Sequence, residues 1–356
     1  MKGLGLPMRA EILPTHTPAL FAAAVGRVAG LLRAGDVVAL PTETVYGLAA
    51  NALDVAAVAK IFALKQRPAH NPIIVHVASL ELARQAVGGW PPSADRLARA
   101  FWPGPLTLVL PRGPDIPDLV TAGGSTVGVR WPSHPFIQAV IRECGFPLAA
   151  PSANLANCLS PTNAAHVADQ LGDRLQLIVD GGPAQVGIES TVIDLTVQPG
   201  RVLRPGMIHE ESLRAVLGEG APGRPAAAGE IPCGSPAAEP PSGPLRSPGQ
   251  LRRHYAPQAQ LVVLAWLDEG DLRTQLANRN FTPAACHVIA HARIPLGPGF
   301  GGVTVIPHDA QAFARALYAE LHRCDAAGAG LIVVEALPDG PEWRAIADRL
   351  RRATAG

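Results

Sequence analysis

Cationic side chains and short hydroxyl or amide groups recur in this 356-residue chain wherever an apolar run ends, and that combination suits phosphate. Lys65 and Arg67 stand two positions apart just before Pro68. The proline closes the preceding helix, so the spacing leaves both cationic heads free to converge on one anion. Arg130 follows the apolar run Thr126–Val129, and its planar fork fits bidentate capture of a carboxylate or phosphate. Ala149-Ala150-Pro151-Ser152-Ala153-Asn154 closes another run, and Ser160-Pro161-Thr162 opens a helix; short polar groups beside a helix N-terminus are what a phosphate needs. The densest cluster, Pro41-Thr42-Glu43-Thr44-Val45-Tyr46-Gly47-Leu48, comes directly after a buried strand, where open α/β sheets hold ligands, although a capped turn into the next helix would read the same. His76 ends a further apolar strand, a place equally suited to a core histidine. Gly187-Ile188-Glu189-Ser190-Thr191-Val192 and Leu203-Arg204-Pro205-Gly206 complete the set. With no GxxxxGK[ST] loop, GxSxG elbow or HExxH helix, these residues point to phosphate chemistry without a P-loop.

The elements that must carry these groups follow from periodicity. Ala19–Leu32, Val55–Leu64 and Pro135–Glu143 have helical spacing, while Val37–Leu40, Ile73–Val77, Leu106–Leu110, Thr126–Val129 and Leu177–Val179 read as short buried strands. Helices mixed with buried strands mean an α/β sheet domain, here residues 14–217. Residues 218–257 are crowded with proline and glycine and carry no apolar periodicity, as a linker or lid would. In residues 258–356 the strands Leu261–Leu264, His287–Ala290, Val303–Ile306 and Leu331–Val334 alternate with helices Asp309–His322 and Pro341–Arg352, which predicts a small Rossmann-like parallel sheet. No GxGxxG turn follows its first strand, so dinucleotide binding is not indicated.

Composition excludes other classes. Thirty Lys and Arg against 29 Asp and Glu leave a net charge of +1, and aromatic residues are 4% of the chain. Such a chain has neither the field nor the stacking platforms of an RNA-binding module. The five cysteines, Cys144, Cys158, Cys233, Cys286 and Cys324, form no CxxC pair, as expected of free thiols in a reducing compartment. Met1–Leu6 has no long apolar core and Arg27 interrupts Leu20–Leu32, so neither signal peptide nor membrane span is expected and the reading is a cytoplasmic protein.

The order and spelling of the clusters add a resemblance. PTETVYGL, KQRP followed by NPIIVH, FWPGPLTLVL, VGVRWPSHP, APSAN, GIESTV and VLRPG resemble the YrdC-like threonylcarbamoyl-AMP synthase family from about Gly35 to Gly206. Ser247-Pro248-Gly249 and His254-Tyr255-Ala256-Pro257 resemble the segment joining the domains of its long form. The resemblance implies a YrdC-like open twisted sheet domain followed by a small Rossmann-like one. It implies a nucleotidyltransferase that joins L-threonine, bicarbonate or carbon dioxide and ATP into threonylcarbamoyl-adenylate and diphosphate. Separate tRNA threonylcarbamoyl transferase proteins would consume the product, so neither stable direct tRNA binding nor membrane attachment is expected. By the same resemblance, Lys65, Arg67, Ser152 and Asn154 form the catalytic signature, and Thr42, His76, Arg130 and Ser190 hold threonine. The nucleotide falls to Lys65, Arg67, Asn71, Thr126, Ser152, Asn154, Ser160, Arg204, His254 and Tyr255, with Mg2+ held mainly by ATP oxygens and water. A carbamoyl-transferring relative would need further catalytic or zinc-binding modules, for which the chain has neither room nor cysteines. The chain departs from the family pattern at Leu155-Ala156-Asn157-Cys158, at Gln250, at Asp348 where asparagine is usual, and in the length of the linker. The block around His254 and Tyr255 predicts that the arm closes over the nucleotide.

Overall fold

The computed structural model describes residues 9–218 and 254–355; Cys233, Ser247-Pro248-Gly249 and Gln250 lie outside the described residues. Ten strands of the first part make one mixed sheet. They are β1 (Glu11–Pro14), β2 (Val38–Leu40), β3 (Gly47–Asn51), β4 (Val75–His76), β5 (Leu106–Pro111), β6 (Thr126–Arg130), β7 (Leu148–Ala149), β8 (Leu177–Asp180), β9 (Thr191–Asp194) and β10 (Arg201–Arg204), in the order β1-β8-β2-β3-β7-β4-β6-β5-β9-β10. Successive side chains alternate between two cores. Val38, Leu40, Leu177 and Val179 join the helices Pro18–Arg33 and Pro135–Cys144, whereas Ala39, Leu48 and Ile178 join Val55–Lys65, Pro92–Phe101 and Ala164–Leu171. Burial on both faces explains why these strands read as unbroken apolar runs. Thr17 and Asp54 accept first-turn N–H groups of their helices, fixing where the helices before β2 and after β3 begin.

One alternative is decided here and one expected strand is shortened. The segment Pro41–Tyr46 does not turn into a helix; it doubles back into β3, antiparallel to β2 in the register Val38↔Ala49. The strand expected over Ile73–Val77 narrows to Val75 and His76, which pair with both β6 and β7, because the N–H of Ile73 is taken by the carbonyl of Val120.

In the second part β11 (Gln260–Leu264), β12 (Cys286–Ala290), β13 (Gly302–Val305) and β14 (Leu331–Glu335) form a parallel sheet in the order β11-β14-β12-β13. The helices Glu269–Ala277, Ala310–Ala326 and Arg344–Thr354 accompany it. Both domains are therefore α/β, the second with the parallel Rossmann-like sheet its strand pattern predicts. Strict alternation fails once, since β12 reaches β13 without an intervening helix. The two parts share a core: Val45, Leu159 and Ile188 of the first are buried in one cluster with Tyr255, Phe313, Leu317 and Leu350. Among the described residues no helix is long and apolar enough to cross a membrane.

Candidate functional site

The turn Pro41–Tyr46 and the segment Pro151–Asn154 lie side by side. Leu48 N–H donates to Pro151 O at 2.7 Å and Ala153 N–H to Tyr46 O at 2.8 Å, and Gly47 bridges Ser152. Inside the turn, Thr42 Oγ1 donates to Val45 O at 2.6 Å and lies 2.9 Å from Thr44 Oγ1. The ends of β4, β6 and β10 bring His76, Arg130 and Arg204 to the same place. Together with Arg67, Glu189 and the strap residues His254 and Tyr255, these groups line one cleft.

Of the residues predicted from sequence, Thr42, Arg67, His76, Arg130, Ser152, Arg204, His254 and Tyr255 face that cleft. The others do not. Lys65 and Arg67 part company because Gln66 between them is left-handed (φ 52°). Arg67 is pinned by Nε to Asn71 O at 3.1 Å and by Nη2 to Pro72 O at 2.6 Å. The Lys65 ammonium instead turns inward, donating to the carbonyls of Ser152 and Asn154, the latter at 2.5 Å. Here the lysine braces the Ser152 segment from behind. Asn154 braces it too, its Nδ2 donating to Leu155 O and Cys158 O at 2.8 Å each. Ser160 donates to Glu189 Oε1 at 2.6 Å, and Ser190 pairs with Thr107 Oγ1 at 2.8 Å while accepting from Arg204 Nη2 at 3.1 Å. Asn71 is buried outside the lining, its Oδ1 without a hydrogen-bond partner. Thr126 opens onto a separate crevice with Pro72, Thr107 and Thr121, reached past Ile74, which borders both. The departure at residues 155–158 takes a definite form: Asn157 is left-handed (φ 67°), a conformation asparagine tolerates, and its carbonyl accepts the N–H of Ala256 at 3.0 Å.

Two carboxylates that residue spacing did not single out organise the charge. Glu43 lies 2.7 Å from Arg130 Nη2, both side chains more than nine-tenths buried. The angles fall short of a hydrogen bond, so that nitrogen keeps a donor to spare, while Nη1 donates to Thr44 Oγ1 at 2.9 Å. Burial pushes the Glu43 carboxyl up, but the guanidinium outweighs it and the net shift is down. His76 is driven to about 3, by burial first and Arg130 second, so its imidazole is neutral, with Nδ1 unpartnered. Burial lowers Arg67 to about 10, which leaves it charged near neutral pH.

Glu189 is the second carboxylate. Its Oε2 accepts from Arg349 Nε at 2.7 Å and from Tyr318 O–H at 3.2 Å, both on second-domain helices. The strap sits between the domains, with the N–H of His254 on Arg352 O at 3.3 Å and the Arg349 guanidinium 5.4 Å from the Tyr255 ring centre. Tyr255 is itself left-handed (φ 62°), and its hydroxyl has no hydrogen-bond partner. A carboxylate in each of the quoted blocks PTETVYGL and GIESTV was the available signal, since an acid within an anion site needs its own cation. In the second sheet, Glu335 at the end of β14 accepts the N–H groups of His291, Ala292 and Arg293 at 2.7, 2.8 and 2.9 Å. A side chain of the protein thus fills the backbone nest where such sheets receive anions.

Known proteins share this architecture. Residues 30–206 match the Sua5/YciO/YrdC family model, described as "Telomere recombination", and residues 208–355 match the model described as "Threonylcarbamoyl-AMP synthase, C-terminal domain". A threonylcarbamoyl-AMP synthase of Pyrococcus abyssi is 45% identical over 236 residues, covering 66% of this chain and 66% of that protein. The match to the Schizosaccharomyces pombe threonylcarbamoyl-AMP synthase is 32% identical and covers 98% of this chain and 91% of that one. The crystal structure of P. abyssi Sua5 complexed with L-threonine superposes with a TM-score of 0.82 at 36% identity, covering 96% of each chain.

Proposed function

The chain belongs to the threonylcarbamoyl-AMP synthase family, and from that premise we propose that it is the nucleotidyltransferase that makes threonylcarbamoyl-adenylate and diphosphate from L-threonine, bicarbonate or carbon dioxide, and ATP. One observation carries the reading: Arg67, Arg130 and Arg204 converge with Ser152, Thr42 and His76 on a single cleft. Three cations with little countercharge left over suit a triphosphate beside an amino-acid carboxylate.

Threonine's carboxylate takes the spare donor of Arg130, and the neutral His76 imidazole offers a hydrogen bond without adding charge. The threonine amine combines with bicarbonate, losing water, to give a carbamate. A carbamate oxygen attacks the α-phosphorus in line, the new P–O bond forms as the bond to the β-phosphate oxygen breaks, and diphosphate leaves. No covalent enzyme nucleophile is needed, so the protein's work is positioning and charge neutralisation. Arg67, Arg204 and Ser152 receive the phosphates, and the nucleoside extends past Ile74 toward Asn71 and Thr126. Magnesium enters with the nucleotide. Of the carboxylates nearby, Glu43 is engaged by Arg130 and Glu189 by Arg349, a donor set suited to a metal held by phosphate oxygens and water. The adenylate is an activated acyl donor, which separate tRNA threonylcarbamoyl transferase proteins in the cytoplasm would consume.

The test is diphosphate release by the purified chain with ATP, magnesium and bicarbonate, with and without threonine. Release that depends on threonine, together with a product carrying both threonyl and adenylyl groups, is expected. Threonine-independent release, or none, overturns the proposal.

A further inference from the structure

We infer that Arg349, a residue of the second domain, is a positioning residue for the nucleotide: it neutralises Glu189 at the cleft wall and clamps the two segments that present Ser190 and Arg204. The inference rests on the reading of the cleft as a triphosphate site.

Glu189 lines the cleft beside Arg204 and Tyr255, so an unbalanced carboxylate there would repel the anion the cleft is built to receive. Its cation comes from the helix Arg344–Thr354, 160 residues away, and the Arg349 side chain is 1% exposed, so solvent screens the pair hardly at all. The other two nitrogens of the same guanidinium reach backbone, Nη1 being shared with the Asp348 carboxylate. Nη2 donates to Glu189 O at 3.2 Å and Nη1 to Pro205 O at 2.9 Å. Those carbonyls directly precede Ser190 and directly follow Arg204, and Arg204 Nε is in turn bound to Ser190 O at 3.0 Å. One buried fork therefore fixes both the charge of the wall and the distance between the backbone segments that carry Glu189 and Arg204. Asp348, 3.2 Å from Nη1, lies on the side of Arg352 and the strap. The first domain holds most of the cleft, yet its anion affinity is completed from outside it.

The two effects separate by ligand charge. Dissociation constants of ATP and of AMP are measured with the full chain in magnesium buffer without threonine, for wild type, Arg349→Met, Arg349→Gln and the pair Glu189→Gln/Arg349→Met. Loss of the countercharge penalises the ligand with more phosphates, so both Arg349 variants weaken ATP by about ten-fold or more and AMP far less. Glu189→Gln/Arg349→Met buries no unpaired charge and brings the ATP-to-AMP ratio back toward wild type. Arg349→Gln keeps amide donors for the carbonyls and carries the comparison if Arg349→Met does not fold. Equal weakening of ATP and AMP in the Arg349 variants, or an unchanged ATP affinity, overturns the inference while the functional reading stands. A wild type that binds neither nucleotide overturns the functional reading and the inference with it.

Discussion

Arg130→Met removes one member of a buried ion pair, and its consequences divide between stability and substrate binding. The Arg130 and Glu43 side chains are 5% and 7% exposed, so the abandoned Glu43 carboxylate finds no water. Taking one partner from such a pair costs about 3–5 kcal/mol. The sign of the pH dependence distinguishes this mechanism from simple loss of packing. In the wild type the Glu43 carboxyl is held below its ordinary value, so its contribution is present above about pH 4.5 and is lost as pH falls through the lowered value. In Arg130→Met burial, the largest influence on this carboxyl, is opposed only by the backbone N–H groups of Ser133 and Glu43, so the carboxyl is expected to move above its ordinary value, and stability to decline as pH rises past about 4.5 by up to about 1.4 kcal/mol per unit. The stability gap between variant and wild type therefore widens from pH 5 to pH 8. Glu43→Gln/Arg130→Met removes the charge and flattens the gap, yet it still lacks the donor for threonine's carboxylate. Urea midpoints across that pH range, with threonine affinity by calorimetry on the same samples, measure both halves. A gap that stays constant with pH, or a double variant as unstable as Arg130→Met at pH 8, would refute the reasoning.

Three further outcomes are expected. Lys65→Met leaves the carbonyls of Ser152 and Asn154 without their buried donor, costing about 2–4 kcal/mol by thermal melting and weakening ATP binding through Ser152 more than threonine binding. Gly187→Ala should lower stability and ATP affinity together. Gly187 has φ +82°, and an added Cβ would come 2.5 Å from Arg315 Cα on a second-domain helix, a backbone contact that cannot yield without moving the domains apart. The rings of His166 and His322 stack across the interface at 3.9 Å. Burial, with His322 beside it, lowers His166 to about 3, and burial lowers His322 too. Their neutral forms contribute fully above about pH 6.5, and the contribution is lost as pH falls below it, so His322→Phe should flatten the decline in urea midpoint between pH 6.5 and 5.

What could be read beforehand follows from how each group is held. Arg67, Arg130, Arg204 and Ser152 stand in the sequence where apolar runs end, and the fold brings those ends together, so residue type and position sufficed. The direction of Lys65 is not legible in the sequence because it depends on Gln66, which enters the left-handed region with no glycine or asparagine to announce it. The partners of Glu43 and Glu189 were illegible for another reason. They sit 87 and 160 positions away on elements whose docking no local pattern encodes. The two-residue strands β4 and β7 are too short to show a period, although between them they carry His76 to the cleft and lead into Pro151–Asn154.

Asp348 shows how the second domain is tied to that cleft. Where the resemblance leads one to expect asparagine, its carboxylate meets Arg349 at 3.2 Å, Arg351 at 2.7 Å and Arg352 at 3.0 Å. Burial raises its carboxyl, but Arg349 and Arg352 outweigh burial and hold it down, so the group stays charged. An asparagine could satisfy some of the same donors but would take away the negative charge that Arg349, Arg351 and Arg352 share at this helix end. With the aspartate, the last turns of the helix stay ordered around Arg349, and the carbonyl of Arg352 remains in place for the N–H of His254. Glu335 already fills the anion nest of the second sheet, so the contribution of this domain runs outward, through Arg349 and the strap, to the wall of the cleft in the first.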